Sequence, residues 1–259
     1  MTLNKKEIAR SFGRAASTYD QYAYLQREIG EDLMARFHNI SLQDKVVLDP
    51  GAGTGFFTQR LKDNFNCDVI AFDLAFNMLS QLNKNYLSVQ KLICGDAESL
   101  PFKDKSVDVI FSNLTFQWCV NLNQCFKEVN RILKKGGTFC FSTLGPRTLW
   151  ELRRSWEKVD NKTHVNHFVG LDYLREYLVS QEFDEVSLER ELKVIQYQEA
   201  KTLLTELKGI GAHNINTNRS LKVMGKNRFK SFISAYEGFR SKEGFLPATY
   251  EIFYGVIKK

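Results

Sequence analysis

Val46-Val47-Leu48-Asp49-Pro50-Gly51-Ala52-Gly53-Thr54-Gly55 runs from a short apolar strand straight into three glycines at alternate positions. Glycine tolerates positive φ and lacks a Cβ, so such a loop can turn sharply off a strand and press its backbone against a ligand. The spacing narrows the choice of ligand. A dinucleotide-binding loop wants G-x-G-x-x-G, and Phe56 holds the place of its third glycine. A helix is expected from Phe56 to Phe65, and the next apolar run, Val69-Ile70-Ala71-Phe72, ends in Asp73. That acid follows the glycines by about twenty residues, the place from which a carboxylate in a doubly wound sheet accepts hydrogen bonds from both ribose hydroxyls. A third strand, Val89 to Ile93, leads into Gly95-Asp96-Ala97-Glu98, and a fourth, Val107 to Phe111, into Ser112-Asn113-Leu114. Several strand ends therefore point at one nucleoside-bearing ligand.

The 259 residues, 43% of them hydrophobic, suffice for one substantial α/β core with a small appended lid. The amino-terminal Met1-Thr2-Leu3-Asn4-Lys5-Lys6-Glu7 lacks the apolar segment of a signal peptide. No apolar run approaches the roughly 18 residues of a membrane span, so a cytoplasmic protein with no membrane partner is expected. Five cysteines, an odd number without a C-x-x-C pair, suggest neither disulfides nor zinc, and the four histidines form no H-x-x-x-H pattern. No metal is expected.

Ile8, Phe12, Ala15 and Tyr19 fall at i, i+4, i+7 and i+11 and predict one cap helix, followed by another from Gln26 to Phe37. A helix from Asn123 to Leu133 meets the stop signal Lys134-Lys135-Gly136-Gly137 before a strand over Thr138 to Thr143. Helices near Leu149 to Val159 and Leu171 to Ser180 and a strand near Val186 to Leu192 come next. Residues from Glu199 to Arg240 read as helices around a polar loop, and Tyr250 to Ile257 as a closing edge or antiparallel strand. The pattern predicts one α/β domain over 1–259, with cap helices in 1–40, a ligand-binding core in 41–145 and a helical lid in 193–249.

Glycines 51, 53 and 55 after an acidic strand end resemble motif I of the class I S-adenosylmethionine (SAM) methyltransferases. That resemblance implies a Rossmann-like seven-stranded sheet with helices on both faces and SAM as co-substrate. It assigns SAM binding to Asp49, Gly51, Ala52, Gly53 and Gly55, to Asp73, Leu74 and Met78, to Asp96 and Ala97, and to Asn113 and Leu114. Further segments are more particular: Phe12-Gly13-Arg14-Ala15-Ala16 with Thr18-Tyr19-Asp20, Gln117-Trp118-Cys119, His164-Val165-Asn166-His167-Phe168, Leu207-Lys208-Gly209-Ile210-Gly211-Ala212 and Pro247-Ala248-Thr249-Tyr250. Together they resemble the malonyl-acyl-carrier-protein O-methyltransferases of biotin synthesis, the BioC family, over essentially the whole chain. Pro50, Ala52 and His167 depart from that pattern, and Arg147 stands where small residues are common, a candidate for the cation that His167 replaces.

The resemblance implies methyl transfer to the free carboxylate of a malonyl thioester. A carboxylate is ionised at neutral pH, so the enzyme must align it in line with the sulfonium methyl rather than deprotonate it. Tyr19, Gln117, Asn166 and Lys208 are the candidate donors. Charge points to the partner. The segment from Lys201 to Lys230 holds seven basic residues against Glu206 alone, which equals the whole net charge of +6. Lys222, Lys226, Arg228 and Lys230 are therefore candidates for docking an acidic acyl carrier protein. Phe229 is the only aromatic in that segment, which argues against nucleic acid because single-stranded bases want stacking platforms. The alternatives are a quinone-precursor or tRNA methyltransferase, or a SAM-binding assembly factor without methyl transfer.

Overall fold

A computed structural model describes residues 4–36, 40–212 and 225–259. The amino-terminal elements are α1 (Lys5–Ala15), α2 (Tyr19–Tyr22) and α3 (Tyr24–Arg36). Alternating strands and helices follow: β1 (Val46–Pro50), α4 (Phe56–Phe65), β2 (Asp68–Asp73), α5 (Phe76–Asn85), β3 (Lys91–Cys94), β4 (Val107–Asn113), α6 (Leu122–Ile132) and β5 (Leu133–Leu144). The chain continues through α7 (Trp150–Glu157), α8 (Leu171–Val179), β6 (Glu185–Tyr197), α9 (Ala200–Gly209), α10 (Lys226–Glu237) and β7 (Leu246–Lys258). The seven strands form one sheet in the order β3-β2-β1-β4-β5-β7-β6, parallel up to β5 and antiparallel for β7 and β6. This is the α/β sheet with helices on both faces that the sequence predicts.

Strand alternation builds the two cores. Val47, Val69, Val109 and Cys140 point to one face and pack with Ile29 and Leu33 of α3, Leu61 of α4 and Trp156 of α7. Their neighbours Leu48, Ile110, Phe139 and Phe141 point to the other, against Phe126 and Val129 of α6 and Leu174 of α8. A strand buried on both faces reads as a continuous apolar run, as these do. The strand order reverses between β1 and β4, and ligands of such sheets bind in the crevice beyond the carboxyl ends at that switch point.

Three boundaries differ from expectation. The stripe through Ile8, Phe12, Ala15 and Tyr19 is broken, because α1 stops at Ala15 and Tyr19 opens α2. Thr18 makes the break by donating its hydroxyl to Ala15 O at 3.1 Å and to Gly209 O at 3.0 Å, 191 residues away. The Lys134 to Gly137 stretch lies inside β5, with Gly136 at φ 77° and the β4 register shifting between Val107 and Val109. β6 and β7 each run thirteen residues and stay in register from Glu185–Lys258 to Tyr197–Leu246. Among the described residues no helix is long and apolar enough to cross a membrane.

Candidate functional site

At the carboxyl ends of β1, β2, β3 and β4 lies a cavity. Gly51, Gly53, Asp73, Leu74, Met78, Asp96, Ala97, Asn113 and Leu114 all line it, so most of the sequence candidates for SAM binding converge. Asp73 holds the loop to β2: its Oδ2 accepts from Gly53 N at 2.9 Å and its Oδ1 from Ala75 N at 2.7 Å. Burial pushes its carboxyl pKa up, while these two N–H groups pull it back. Asn113 is pinned between Gln26 O, to which it donates at 2.8 Å, and the Ser142 hydroxyl, from which it accepts at 2.6 Å. Lys5 of α1 bridges Asp96 at 2.5 Å and Glu98 at 2.7 Å at the rim.

Asp49 and Ala52 line a smaller adjoining cavity behind the loop, and Gly55 lines neither. Asp49 is buried and accepts from the Thr58 hydroxyl at 2.5 Å. Burial pushes its pKa up to about 7, with Thr58 opposing and the nearby Asp73 charge adding to the rise. Gly55 is a structural glycine. It sits at φ 92° as the N-cap of α4, and a Cβ there would come within 2.3 Å of Leu82 Cγ. Gly53 differs: at φ 56° its Cβ would meet nothing nearer than Gly51 O at 4.0 Å, and the residue lines the ligand cavity.

The smaller cavity also holds residues that sequence reading missed. Arg27 lies over the Phe56 ring at 4.7 Å and pairs with Asp20 at 3.0 Å, and Asp20 also accepts from the Thr54 hydroxyl at 2.8 Å. Arg27 Nε and Gln26 Oε1 are buried there without a hydrogen-bond partner among the described residues. A donor and an acceptor left open on the lining of one cavity fit a zwitterionic amino acid, since buried polar groups otherwise find partners. The flagged Thr18-Tyr19-Asp20 segment was the only signal, because Arg27 reads as an ordinary helix-face charge.

A second, largely apolar cavity shares Phe12, Tyr19, Leu114 and Trp118 with the first. Tyr19, Gln117 and Asn166 line it, and Tyr19 reaches all three cavities. Burial above all, then the charge of Asp73, drives the Tyr19 phenol pKa upward and keeps it a neutral donor. Gln117 spends part of its amide on the protein, donating to Leu114 O at 2.7 Å and accepting from Thr143 at 3.2 Å. Leu114 and Leu149, two of the apolar walls, both hold φ 52°, a costly conformation for a branched side chain. Backbone strain of this kind gathers at functional sites.

Other candidates fall elsewhere. Lys208 of α9 is exposed and does not line the cavity, although Leu204 and Leu207 of the same helix do. Arg147 is exposed and lines neither cavity, and His167 is exposed on a neighbouring groove. Arg228 is not a free surface charge, since its guanidinium is bound to Asp160, which is only 12% exposed. Lys226 and Lys230 are exposed on α10, and Lys222 lies outside the described residues. Cys119, Cys125 and Glu98 meet with potential ligand atoms within 4.8 Å of one another. Glu98 is already engaged there, accepting from Val120 N and Asn121 N and pairing with Lys5.

The comparisons agree with this geometry. The profile of the methyltransferase domain family matches residues 48–141, which span the loop and the first five strands up to Phe141. Among solved structures, the YcgJ protein of Bacillus subtilis superposes with a TM-score of 0.62 over 88% of this chain and 98% of its own, at 20% identity, which speaks for the fold alone. The biotin biosynthesis bifunctional protein BioHC of Cellvibrio japonicus is 42% identical over 99% of this chain, which spans about half (51%) of that longer protein. The malonyl-[acyl-carrier protein] O-methyltransferase of Gallionella capsiferriformans is 38% identical over 98% of this chain and 90% of its own length. With the strand order, the loop and full-length similarity in accord, the chain belongs to the malonyl-[acyl-carrier protein] O-methyltransferase family.

Proposed function

We propose that this chain transfers the methyl group of SAM to the free carboxylate of a malonyl thioester borne by an acyl carrier protein, giving the methyl ester used in biotin synthesis. The carrying observation is the pair of cavities that share the wall Phe12, Tyr19, Leu114 and Trp118. One has acid-tipped strand ends suited to a nucleoside, and the other is an apolar chamber suited to an acyl thioester. Asp73 would take the ribose hydroxyls, Asp96 the adenine end, and Gln26 with Arg27 the amino-acid end of SAM. The donor set fits that ligand.

The reaction needs no base. A lone pair of the carboxylate oxygen forms the O–CH3 bond while the S–CH3 bond breaks and leaves its electron pair on sulfur. Positioning at about 3 Å in a chamber closed to water supplies the rate. Tyr19 at the junction, with Gln117 and Asn166 beyond it, would orient the carboxylate, and α9 and α10 would cover the chamber. Incubation with methyl-labelled SAM should label malonyl carrier protein and leave acetyl carrier protein, which lacks the nucleophile, unlabelled. Label on the acetyl form, or on RNA in preference to both, would overturn this reading in favour of a rival methyltransferase.

Lys226 and Lys230 are the described remainder of the proposed carrier-protein docking patch. Reversing both to Glu should raise KM for malonyl carrier protein about tenfold at low salt, flatten its salt dependence and leave kcat unchanged, because rim charges act through association. Steady-state kinetics across a salt series checks this, and unchanged salt dependence would place docking elsewhere.

A further inference from the structure

Among the described residues that line the acceptor cavity there is no Lys or Arg, and His164 alone of them can carry a positive charge. Its ring is locked. It stacks on Trp156 at 3.9 Å between centroids and 10° between planes, and Trp156 stacks in turn on Phe232 of α10 at 4.3 Å. His164 Nε2 meets Asp160 Oδ1 at 2.9 Å, and the other oxygen of that carboxylate is held by Arg228. A carboxylate on Nε2 fixes the proton there, which leaves Nδ1 as the nitrogen available to a ligand. Nδ1 has no hydrogen-bond partner among the described residues.

We propose that His164 Nδ1–H holds the non-attacking oxygen of the substrate carboxylate, with Asp160 and Arg228 as the groups that position the ring. The inference rests on the methyl-acceptor reading above and names its anion subsite. A carboxylate brought into an apolar chamber must be hydrogen-bonded or paired. The sulfonium faces the attacking oxygen only, so the second oxygen needs a donor of its own. Asp160 and Arg228 offset one another, and a ring that donates from Nε2 to Asp160 and from Nδ1 to the substrate is matched in charge by the substrate carboxylate. Methyl transfer removes the negative charge from the carboxylate as it removes the positive charge from sulfur. The ester carbonyl left on Nδ1 is a weaker acceptor than the carboxylate, which favours release of product over substrate.

The two amide replacements of His164 separate the nitrogens. His164→Asn keeps an N–H near the Nδ1 position, whereas His164→Gln keeps one near Nε2, within reach of Asp160. In the presence of S-adenosylhomocysteine, His164→Gln should weaken binding of malonyl carrier protein about ten- to a hundredfold, leave acetyl carrier protein unchanged, and be rescued in large part by His164→Asn. SAM affinity of both variants, measured alongside, reports an intact fold. Equal weakening of malonyl and acetyl forms, or better rescue by Gln than by Asn, would overturn the subsite and leave His164 a packing residue. A wild-type protein that fails to methylate malonyl carrier protein would instead sink the function on which the subsite rests.

Discussion

Asp73→Ala loses SAM binding by at least about a hundredfold while the protein stays folded. Asp73 is the one carboxylate at the end of β2 within the cavity, and two ribose hydroxyls on a charged acceptor contribute roughly 1.5 to 3 kcal/mol each. The fold survives because two effects oppose. Removing the carboxylate frees Gly53 N and Ala75 N from their acceptor, but it also removes a charge that burial disfavours, as the upward shift of its pKa records. Calorimetry is the check. Unchanged SAM affinity in a folded Asp73→Ala protein would remove the basis for the cofactor assignment.

Valine at Gly53 and valine at Gly55 should fail in different ways. At Gly55 the new side chain collides with Leu82, the fully buried anchor of α5, in addition to adopting φ 92°. Loss of the cooperative thermal transition is the expected outcome. At Gly53 no protein atom crowds the new Cβ, so the cost is that of a left-handed residue, about 1–2 kcal/mol. A chain of this size should melt about 2–4 °C lower for each of those kcal/mol. SAM binding should nonetheless vanish, since the branched side chain occupies the space the ligand needs. Thermal melts of both variants, paired with SAM titration of Gly53→Val, decide the matter. A Gly53→Val protein that binds SAM normally would move the ligand away from this loop.

What could be read from the chain alone was the part carried by local pattern. Apolar runs ending in Asp49, Asp73 and Asn113 gave the strand ends, and the fold brings them to one crevice because parallel strands present their carboxyl ends together. Side-chain partners far apart in sequence were not legible. Arg228 reads as one more charge of a basic segment, yet its carboxylate lies 68 residues earlier at Asp160. Lys208 sits in a recognisable segment, but only the packing of α9 shows that Leu204 and Leu207 take the inward face. Tyr19 fits a helical stripe with Ile8, and at the break between them the Thr18 hydroxyl reaches Gly209, 191 residues away. His164 was quoted within a motif without a role, because nothing local reveals a stacked Trp156.

The pairing of β6 has a consequence for synthesis. Among the described residues its only neighbour in the sheet is β7, whose first residue, Leu246, is made 49 positions after the last of β6, Tyr197. Until then a thirteen-residue strand waits beside a nascent sheet with every ladder group unpaired, a template for the wrong chain. The charges along it answer this hazard. Glu185, Glu189, Arg190, Glu191 and Lys193 interrupt its apolar positions in the manner of gatekeepers. Neutralising the exposed Glu185 and Glu189 should leave the finished sheet intact while raising the fraction of newly made protein that aggregates before β7 arrives.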